Sequence, residues 1–471
     1  MRIFYYNRQV SFPSVLIGHS CGVYCVNWLT DKISSLIATG REKLGKSKTA
    51  PYHPPSEPII LPRNKHSVSR KNIDPDALKV LYRLHRHGYK AYLVGGSVRD
   101  LLLGKKPKDF DVGTDASPRD VKKLFNNSLI IGKRFRIVHI RFKNNKIIEV
   151  TTFRGANDDE NAENGLPTRR DNTFGTDRED AFRRDLTINA LFYNIADFTV
   201  IDHVGGLQDL ENRIIRVIGD PALRFTEDPV RMIRAIRHSA RTGFEIEKNT
   251  ARAIHTMKDK IILCPPARIH EELLRDFRSG ISAKSIDLFI ESGLFHMLFP
   301  TIVETTVQRE KDRDTLIRCL ELLDVLTLTG KERSIPFYFA VFMLPSTYAL
   351  TATAFEAEDG SKQDIPRLIH KHLSASLERV GVSKKNIDTM RQILFLHWKM
   401  FNMINRRFIP VYMRKKHLFN EAFDLLGITA RATGIFPDAP WPPKKSNQDP
   451  LWRLIRHPKK RPGKKPKRTD G

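Results

Sequence analysis

The chain has 471 residues, with 80 Lys and Arg against 53 Asp and Glu, a net charge of +27 and an isoelectric point near 9.9. The length suits roughly two to four domains, and the basic excess points to a polyanionic partner, nucleic acid before membrane, without bearing on fold. Cys21, Cys25, Cys264 and Cys319 are too scattered for a disulfide framework and lack the CxxC pairs of a zinc site, and no apolar run is long enough to span a bilayer.

Residues 1–55 form an N-terminal extension. The partly apolar run 15–29 is interrupted by His19, Ser20 and Asn27, which makes a poor signal-peptide core, while residues 38–48 are basic and rich in small side chains. An organellar transit peptide, a mis-assigned start and a disordered extension all fit. After a linker at 52–57, apolar positions at Leu78, Val80, Leu81 and Leu84 mark a helix, with Asp74 or Asp76 as its cap and Pro75 in its first turn. His85 and His87, two apart on that helix, cannot share a face and make no metal pair.

Residues 90–112, KAYLVGGSVRDLLLGKKPKDFDV, organise the rest. Tyr92, Leu93 and Val94 read as a buried strand, Gly95 and Gly96 follow, and a helical pattern runs from Ser97 to Leu102 until Gly104 stops it. A Gly pair between strand and helix lets backbone N–H groups approach an anion, although such turns also occur without a phosphate site. Asp109 and Asp111, two apart on a strand, point to one side while Phe110 and Val112 face the core. Two carboxylates so close repel, and hard divalent cations with oxygen ligands relieve that repulsion. Two exposed acids on an edge strand are the plain alternative.

Ser117 caps a helix over 118–125. In residues 129–140, LIIGKRFRIVHI, Arg134, Arg136 and His139 alternate imperfectly with Phe135, Ile137, Val138 and Ile140, as a charge-protected edge strand or a basic rim beside phosphates would. Residues 146–153 are another strand, whose Glu149 is either a third acid of the cleft or a plain surface glutamate. Residues 154–171 read as a mobile loop.

In residues 171–193 a helix is expected from Glu179 to Leu191, which sets Asp185 and Asn189 one turn apart on one face with Arg184 at its margin. A guanidinium suits phosphate oxygens, and a carboxylate with an amide suits ribose hydroxyls. Residues 199–207 look like a closing strand and turn. In residues 224–238, RFTEDPVRMIRAIRH, Thr226 is the expected cap. Asp228 and Arg231, three apart, either read a nucleobase edge or make an intrahelical ion pair.

These blocks, GGSVRD with DFDV, then RRDxTxNAL, then EDxxR, resemble in order the signature of the class II nucleotidyltransferases, which comprise CCA-adding tRNA nucleotidyltransferases and bacterial poly(A) polymerases. The resemblance runs from about Ile59 to about Phe299. It implies a catalytic head with Asp109 and Asp111 holding two Mg²⁺ ions and ATP as substrate; Glu149, where it faces that cleft, is the candidate third metal ligand. It places Gly95, Gly96 and Arg99 at a phosphate loop with Arg184 nearby, Asp185 and Asn189 at the ribose, and Asp228 with Arg231 at the base. Residues 265–278 resemble the family's next helical motif, in which Arg268, Glu271 and Glu272 read as structural. The run 129–140 resembles the poly(A) polymerase branch.

The expected fold is α+β: a nucleotidyltransferase (polymerase β-like) head with a small mixed sheet at 56–207, an all-α neck at 208–285 and an all-α body at 286–430. An apolar cluster at 294–300 marks the junction to the body, and a Pro-rich and basic disordered tail fills 431–471. Residues 401–414, with Phe401, Arg406, Arg407, Phe408, Tyr412 and Arg414, mix aromatic and basic side chains as single-stranded RNA tracks do, or form a solvated helical face. The expected activity is template-independent transfer of AMP from ATP to RNA 3′ ends by a monomer, cytoplasmic in a bacterium or organellar if residues 1–55 are a transit peptide, with RNA-decay partners on the tail. A CCA-adding enzyme and a non-catalytic basic RNA-binding protein are the alternatives.

Overall fold

The structure, a computed structural model, describes residues 52–132, 136–155, 174–308, 310–330, 332–356, 364–403 and 409–434. Residues 1–51 of the N-terminal extension, residues 435–471 of the tail, Arg134 and Phe135, most of the expected mobile loop and Arg406 to Phe408 lie outside the described residues.

The first half of the described chain builds one sheet. Its strands are β1 (Ile59–Leu61), β2 (Ala91–Val94), β3 (Asp111–Thr114), β4 (Ser128–Ile131), β5 (Ile137–Arg141), β6 (Ile147–Thr152), β7 (Leu191–Asn194) and β8 (Val200–Asp202). They lie in the order β1-β8-β7-β2-β3-β6-β5-β4, and the β3–β6 pairing is parallel while the others are antiparallel. The sheet is mixed, as its α+β pattern demands.

Register divides the side chains between two faces. Leu93, Val112, Val150 and Val138 stand in one row across four strands and are at most 1 % exposed. That face is covered by α1 (Pro75–Arg86) and α3 (Pro118–Leu124). Both helices start as the sequence implies: Asp74 accepts from the Asp76 and Ala77 amides, and Ser117 accepts from Asp120 N. On the opposite face Val94 stands between Phe192 and Asp111. Tyr92, Val94, Phe153, Ala181, Phe192 and Ile201 close part of that face into a small second core.

Between them, α2 (Gly96–Leu102) leaves the Gly95 turn, and α4 (Asp177–Arg183) opens on a capping box between Thr176 and Glu179. Here the structure corrects the expected helix from Glu179 to Leu191. The chain turns extended at Arg184, makes one 3₁₀ turn over Thr187–Asn189 and enters β7. The cause is tertiary pairing. Thr187 N donates to the Arg216 carbonyl and Ile218 N to the Asp185 carbonyl, so an outside segment takes the bonds a helix would have used.

The rest is mainly helical. α5 (Gly206–Glu211) leads to β9 (Ile214–Ile215), which pairs with β10 (Glu245–Ile246). Then α6 (Pro221–Glu227) is capped by Asp220, not Thr226. Thr226 lies in its last turn and donates to the Ala222 carbonyl. Asp228 is extended, and Pro229 starts α7 (Val230–Thr242). Two helices separated by one extended residue replace the single one expected, because Pro229 disfavours the helical conformation at Asp228. Next come α8 (Lys248–Met257), α9 (Pro266–Ser279), α10 (Ser282–Glu291), α11 (Leu294–Leu298), α12 (Glu310–Leu328), α13 (Ile335–Glu356), α14 (Ile365–Leu377), α15 (Lys384–Phe401) and α16 (Phe419–Ala432).

Phe295 and Phe299 pack on Phe342 of α13 with ring centroids 6.0 and 4.9 Å apart, so the 294–300 cluster joins α11 to the following helices. Phe401 is half-buried against the helical core, edge-on to Tyr348 and stacked on His397. Tyr412 is 58 % exposed. Among the described residues no helix is long and apolar enough to cross a membrane.

Candidate active site

The acids come first. Asp111 opens β3 and stands in register with Glu149 of β6, whose next neighbour is His139 of β5. Asp109 precedes the strand and is exposed. Burial raises the Asp111 carboxyl to about 6, with Glu149 and Asp109 adding to the rise and Arg184 opposing it. Asp109, Asp111, Glu149 and Arg184 thus share one electrostatic neighbourhood. His139 Nε2 lies 3.2 Å from Glu149 Oε1. Among the described residues no three His, Cys, Asp or Glu side chains converge into a closed metal cage. The donor set still suits Mg²⁺, which takes one or two carboxylates and completes its shell with water and substrate phosphate.

The glycine turn lies directly beside these acids, since Val94 pairs with Asp111. Gly95 has φ +73°, a conformation that glycine alone adopts without strain, and a Cβ there would stand 3.3 Å from Arg184 Nη1. Arg184 donates from Nε and Nη2 to Asp180 Oδ2 at 3.1 and 2.9 Å and from Nη1 to the Asn189 carbonyl at 3.3 Å. Its guanidinium lies 5.3 Å over the Phe192 ring.

Arg99 is placed otherwise than expected. It is 1 % exposed and sits behind the loop, donating from Nε and Nη2 to Asp100 Oδ1 and from Nη1 to Asn189 Oδ1 at 2.6 Å. It props the turn from inside. A buried guanidinium needs these acceptors, and Asp100 also takes Arg241 of α7 at 3.1 Å.

Asp185 and Asn189 are brought together, though not as one turn of a helix. His238 of α7 joins them: Asn189 Nδ2 lies 3.2 Å from its Nε2, and desolvation holds the imidazole well below its usual range, with Arg99 adding to the fall. Asp185 Oδ2 is 3.0 Å from Arg234 Nε, without an aligned hydrogen bond. Burial works against the Asp185 carboxylate, yet Arg234, His238 and backbone amides hold its pKa down to about 2.

Asp228 and Arg231 do not pair with each other. Arg231 Nη1 donates to Glu227 Oε2 at 2.7 Å and to the Arg224 carbonyl. The Asp228 carboxylate instead receives both arms of Arg268 from α9. Arg268 was read as structural, and its role is invisible in sequence because the partner lies 40 positions away. Arg224, also missed, donates from Nη2 to the carbonyls of Arg183 and Arg184 at 2.9 Å and so ties α6 to the extended break after α4. His238 had no signal, being one of three consecutive buried polar residues, Arg237, His238 and Ser239, on a helix whose other buried positions are apolar.

Paired acids on a mixed sheet, beside a glycine turn and an arginine, with helices packed behind, define a nucleotidyltransferase. Residues 91–216 match the model of the poly A polymerase head domain, and residues 243–305 match that of the probable RNA and SrmB-binding site of polymerase A. Poly(A) polymerase I of Escherichia coli O6:H1 is 39 % identical over 382 residues, covering 79 % of this chain and 81 % of that protein. A CCA-adding enzyme of Bacillus pumilus is 40 % identical over 223 residues, 47 % of this chain and 54 % of that enzyme. Among solved structures, the Bacillus stearothermophilus CCA-adding enzyme in complex with CTP superposes with TM-score 0.53 at 26 % identity, covering 78 % of this chain and 80 % of that one. The chain belongs to the tRNA nucleotidyltransferase/poly(A) polymerase family.

Proposed function

We propose that this chain is a poly(A) polymerase, which transfers AMP from ATP to the 3′-hydroxyl of RNA without a template and releases pyrophosphate. The observation that carries this reading is the extent of likeness. The match to poly(A) polymerase I covers four-fifths of both chains, whereas the Bacillus pumilus CCA-adding enzyme matches only about half of each. The net charge of +27 suits RNA, whose phosphates release counterions to lysine and arginine.

In this reading Asp111, with Asp109 and Glu149, would hold two Mg²⁺ ions, which when bound would supply Lewis acidity at the attacking hydroxyl and charge neutralisation at the triphosphate. The chain's own side chains position and neutralise. The Gly95–Gly96 turn lets backbone approach the phosphates, and Arg184, already beside that turn, adds a fixed positive charge. Asp185 and Asn189 attend the ribose, while Asp228 and Arg231 read the base. No nucleophilic side chain is required, because the acceptor hydroxyl is the nucleophile. The setting is the cytoplasm of a bacterium.

The CCA-adding reading has its own support, the superposition on a CTP-bound CCA-adding enzyme. Purified protein with Mg²⁺, given an unstructured RNA or a tRNA lacking its 3′ CCA, with ATP, CTP or both, separates the two. Long ladders from ATP on the unstructured RNA are expected. Three additions confined to the tRNA and dependent on CTP would replace this reading with the CCA one.

A further inference from the structure

Asp111 is approached from two sides of the same sheet face, and the two sides differ. Toward β2 and β7 the face is closed by Tyr92, Val94, Phe153 and Phe192, with Arg184 lying over the Phe192 ring. Toward β4 no described residue closes it, and Leu129, Ile131 and Ile147 are exposed. Register continues the row from Asp111 to Glu149, from Glu149 to His139, and from His139 to Leu129 on the edge strand. With ~4.8 Å between strands, Leu129 stands about 14 Å from Asp111.

The composition of this open half is unusual for an edge. A solvent-facing row ordinarily carries polar side chains, yet Leu129, Ile131 and Ile147 are 41, 39 and 45 % exposed. They share their face with His139 and Arg141, because Val138 and Ile140 between them point into the core. Arg136 is exposed at the entry to β5. Moving away from the acids, one therefore meets an imidazole, then an aliphatic shelf, with guanidiniums at the flank. A flat base lies well on such a shelf, and a phosphate backbone suits the flanking arginines. The charge and the continuity with Asp111 favour a nucleic-acid strand over an apolar protein segment.

We propose that β4 and β5 form the subsite for the 3′ end of the acceptor RNA. The bases near the 3′ end lie along Leu129 and Ile131, the backbone runs past Arg141, and the last nucleotide spans His139 to bring its ribose to Glu149 and Asp111. His139, at 3.2 Å from Glu149, fixes that carboxylate where the ribose arrives. The triphosphate, held on the Gly95 and Arg184 side, and the acceptor then reach Asp111 from opposite directions. This assignment rests on the transferase reading above and adds to it the place of the second substrate.

The test is a photo-crosslink with the full chain and an RNA oligonucleotide bearing 4-thiouridine at its 3′ terminus, without nucleotide, mapped by mass spectrometry. Crosslinks to β4 or β5 are expected, reduced at least fivefold in Leu129→Glu. The same exposed substitution should raise KM for the acceptor at least tenfold and leave KM for ATP within twofold. Crosslinks confined to other elements, or equal changes in both KM values, would overturn the subsite. A protein that crosslinks at β4 or β5 but completes only trimmed tRNA with CTP keeps the subsite and loses the poly(A) reading. One that makes poly(A) yet crosslinks elsewhere loses the subsite alone.

Discussion

Asp228 and Arg268 meet in a two-pronged ion pair, Nη1 to Oδ1 at 2.9 Å and Nη2 to Oδ2 at 2.8 Å. The pair crosses from the break before α7 to the first turn of α9, so the direction of the Asp228 carboxylate is set by a helix outside its own motif. Bidentate geometry fixes both oxygens at once, which a single point charge cannot do. If Asp228 reads the base, Arg268 decides how it is presented. Arg268→Ala should lower discrimination between ATP and CTP about fivefold, the worth of roughly 1 kcal/mol for a pair half open to solvent. Arg268→Lys should not restore it. Competition assays on one RNA acceptor measure this, and unchanged discrimination in both variants would remove Arg268 from base choice. Asp228→Ala should relax base choice more than it weakens RNA affinity.

Asp111 carries opposite demands from folding and from chemistry. Its carboxyl is raised to about 6, chiefly by burial. For an acid raised above its unfolded value, the stabilising contribution is complete below that unfolded value and is lost as pH climbs through about 6. At neutral pH the metal-free protein therefore holds a carboxylate at a cost. Asp111→Asn should abolish transfer, yet without divalent ions at pH 7.5 it should be more stable than the parent by about 1–2 kcal/mol. The gap should shrink as pH falls toward about 4, where both side chains are neutral. Adding Mg²⁺ should stabilise only the parent. Urea titrations at two pH values with and without Mg²⁺ check the signs, and a variant less stable at pH 7.5 would contradict them.

Arg99 separates support from contact. Its guanidinium is 1 % exposed and bound to Asp100 and Asn189, so removing it leaves Asp100 with the half-exposed Arg241 alone and the Asn189 amide oxygen without its donor. Arg99→Ala should cost about 2–3 kcal/mol and lower Tm, with ATP affinity lost only as folding is lost. A normal Tm with a raised KM for ATP would return Arg99 to the phosphates.

Much of this was legible before the fold. Gly95, Gly96, Asp111 and Glu149 lie where strand periodicity and a short turn place them, signals that span a few residues, whereas Asp109, expected on the same strand as Asp111, precedes it; the Asp74 and Ser117 caps are equally local. The misreadings share one cause. Residues 179–191 have helical periodicity, but bonds from residues 216–218 intercept the backbone at Asp185 and Thr187, and no local pattern records a partner 30 positions away. The three-residue spacing of Asp228 and Arg231 allowed an ion pair between them, which the structure does not make, and the partner Asp228 has instead, Arg268, leaves no local trace. Local spacing marks the carboxylates as candidates, whereas the pairing of Arg268 with Asp228 and the placing of Arg99 behind the turn are made by packing between distant segments.

Two glycines give the sharpest separation between strain and site. Gly95 and Gly104 both have positive φ, +73° and +69°, so an alanine strains either backbone. They differ in surroundings. A Cβ at Gly104 has nothing within 4 Å, whereas at Gly95 it meets Arg184 Nη1 at 3.3 Å and the Asn189 carbonyl at 3.8 Å. Gly104→Ala should therefore lower stability by about 1 kcal/mol and leave the kinetics of the folded enzyme unchanged. Gly95→Ala should carry at least that backbone cost, because φ +73° with ψ −138° suits glycine alone, and should also shift the Arg184 guanidinium against the turn, raising KM for ATP about tenfold. Melting curves and steady-state kinetics on both variants are sufficient. Equal kinetic losses would mean that backbone strain alone disturbs the loop, and that the nearness of Gly95 to Arg184 is incidental.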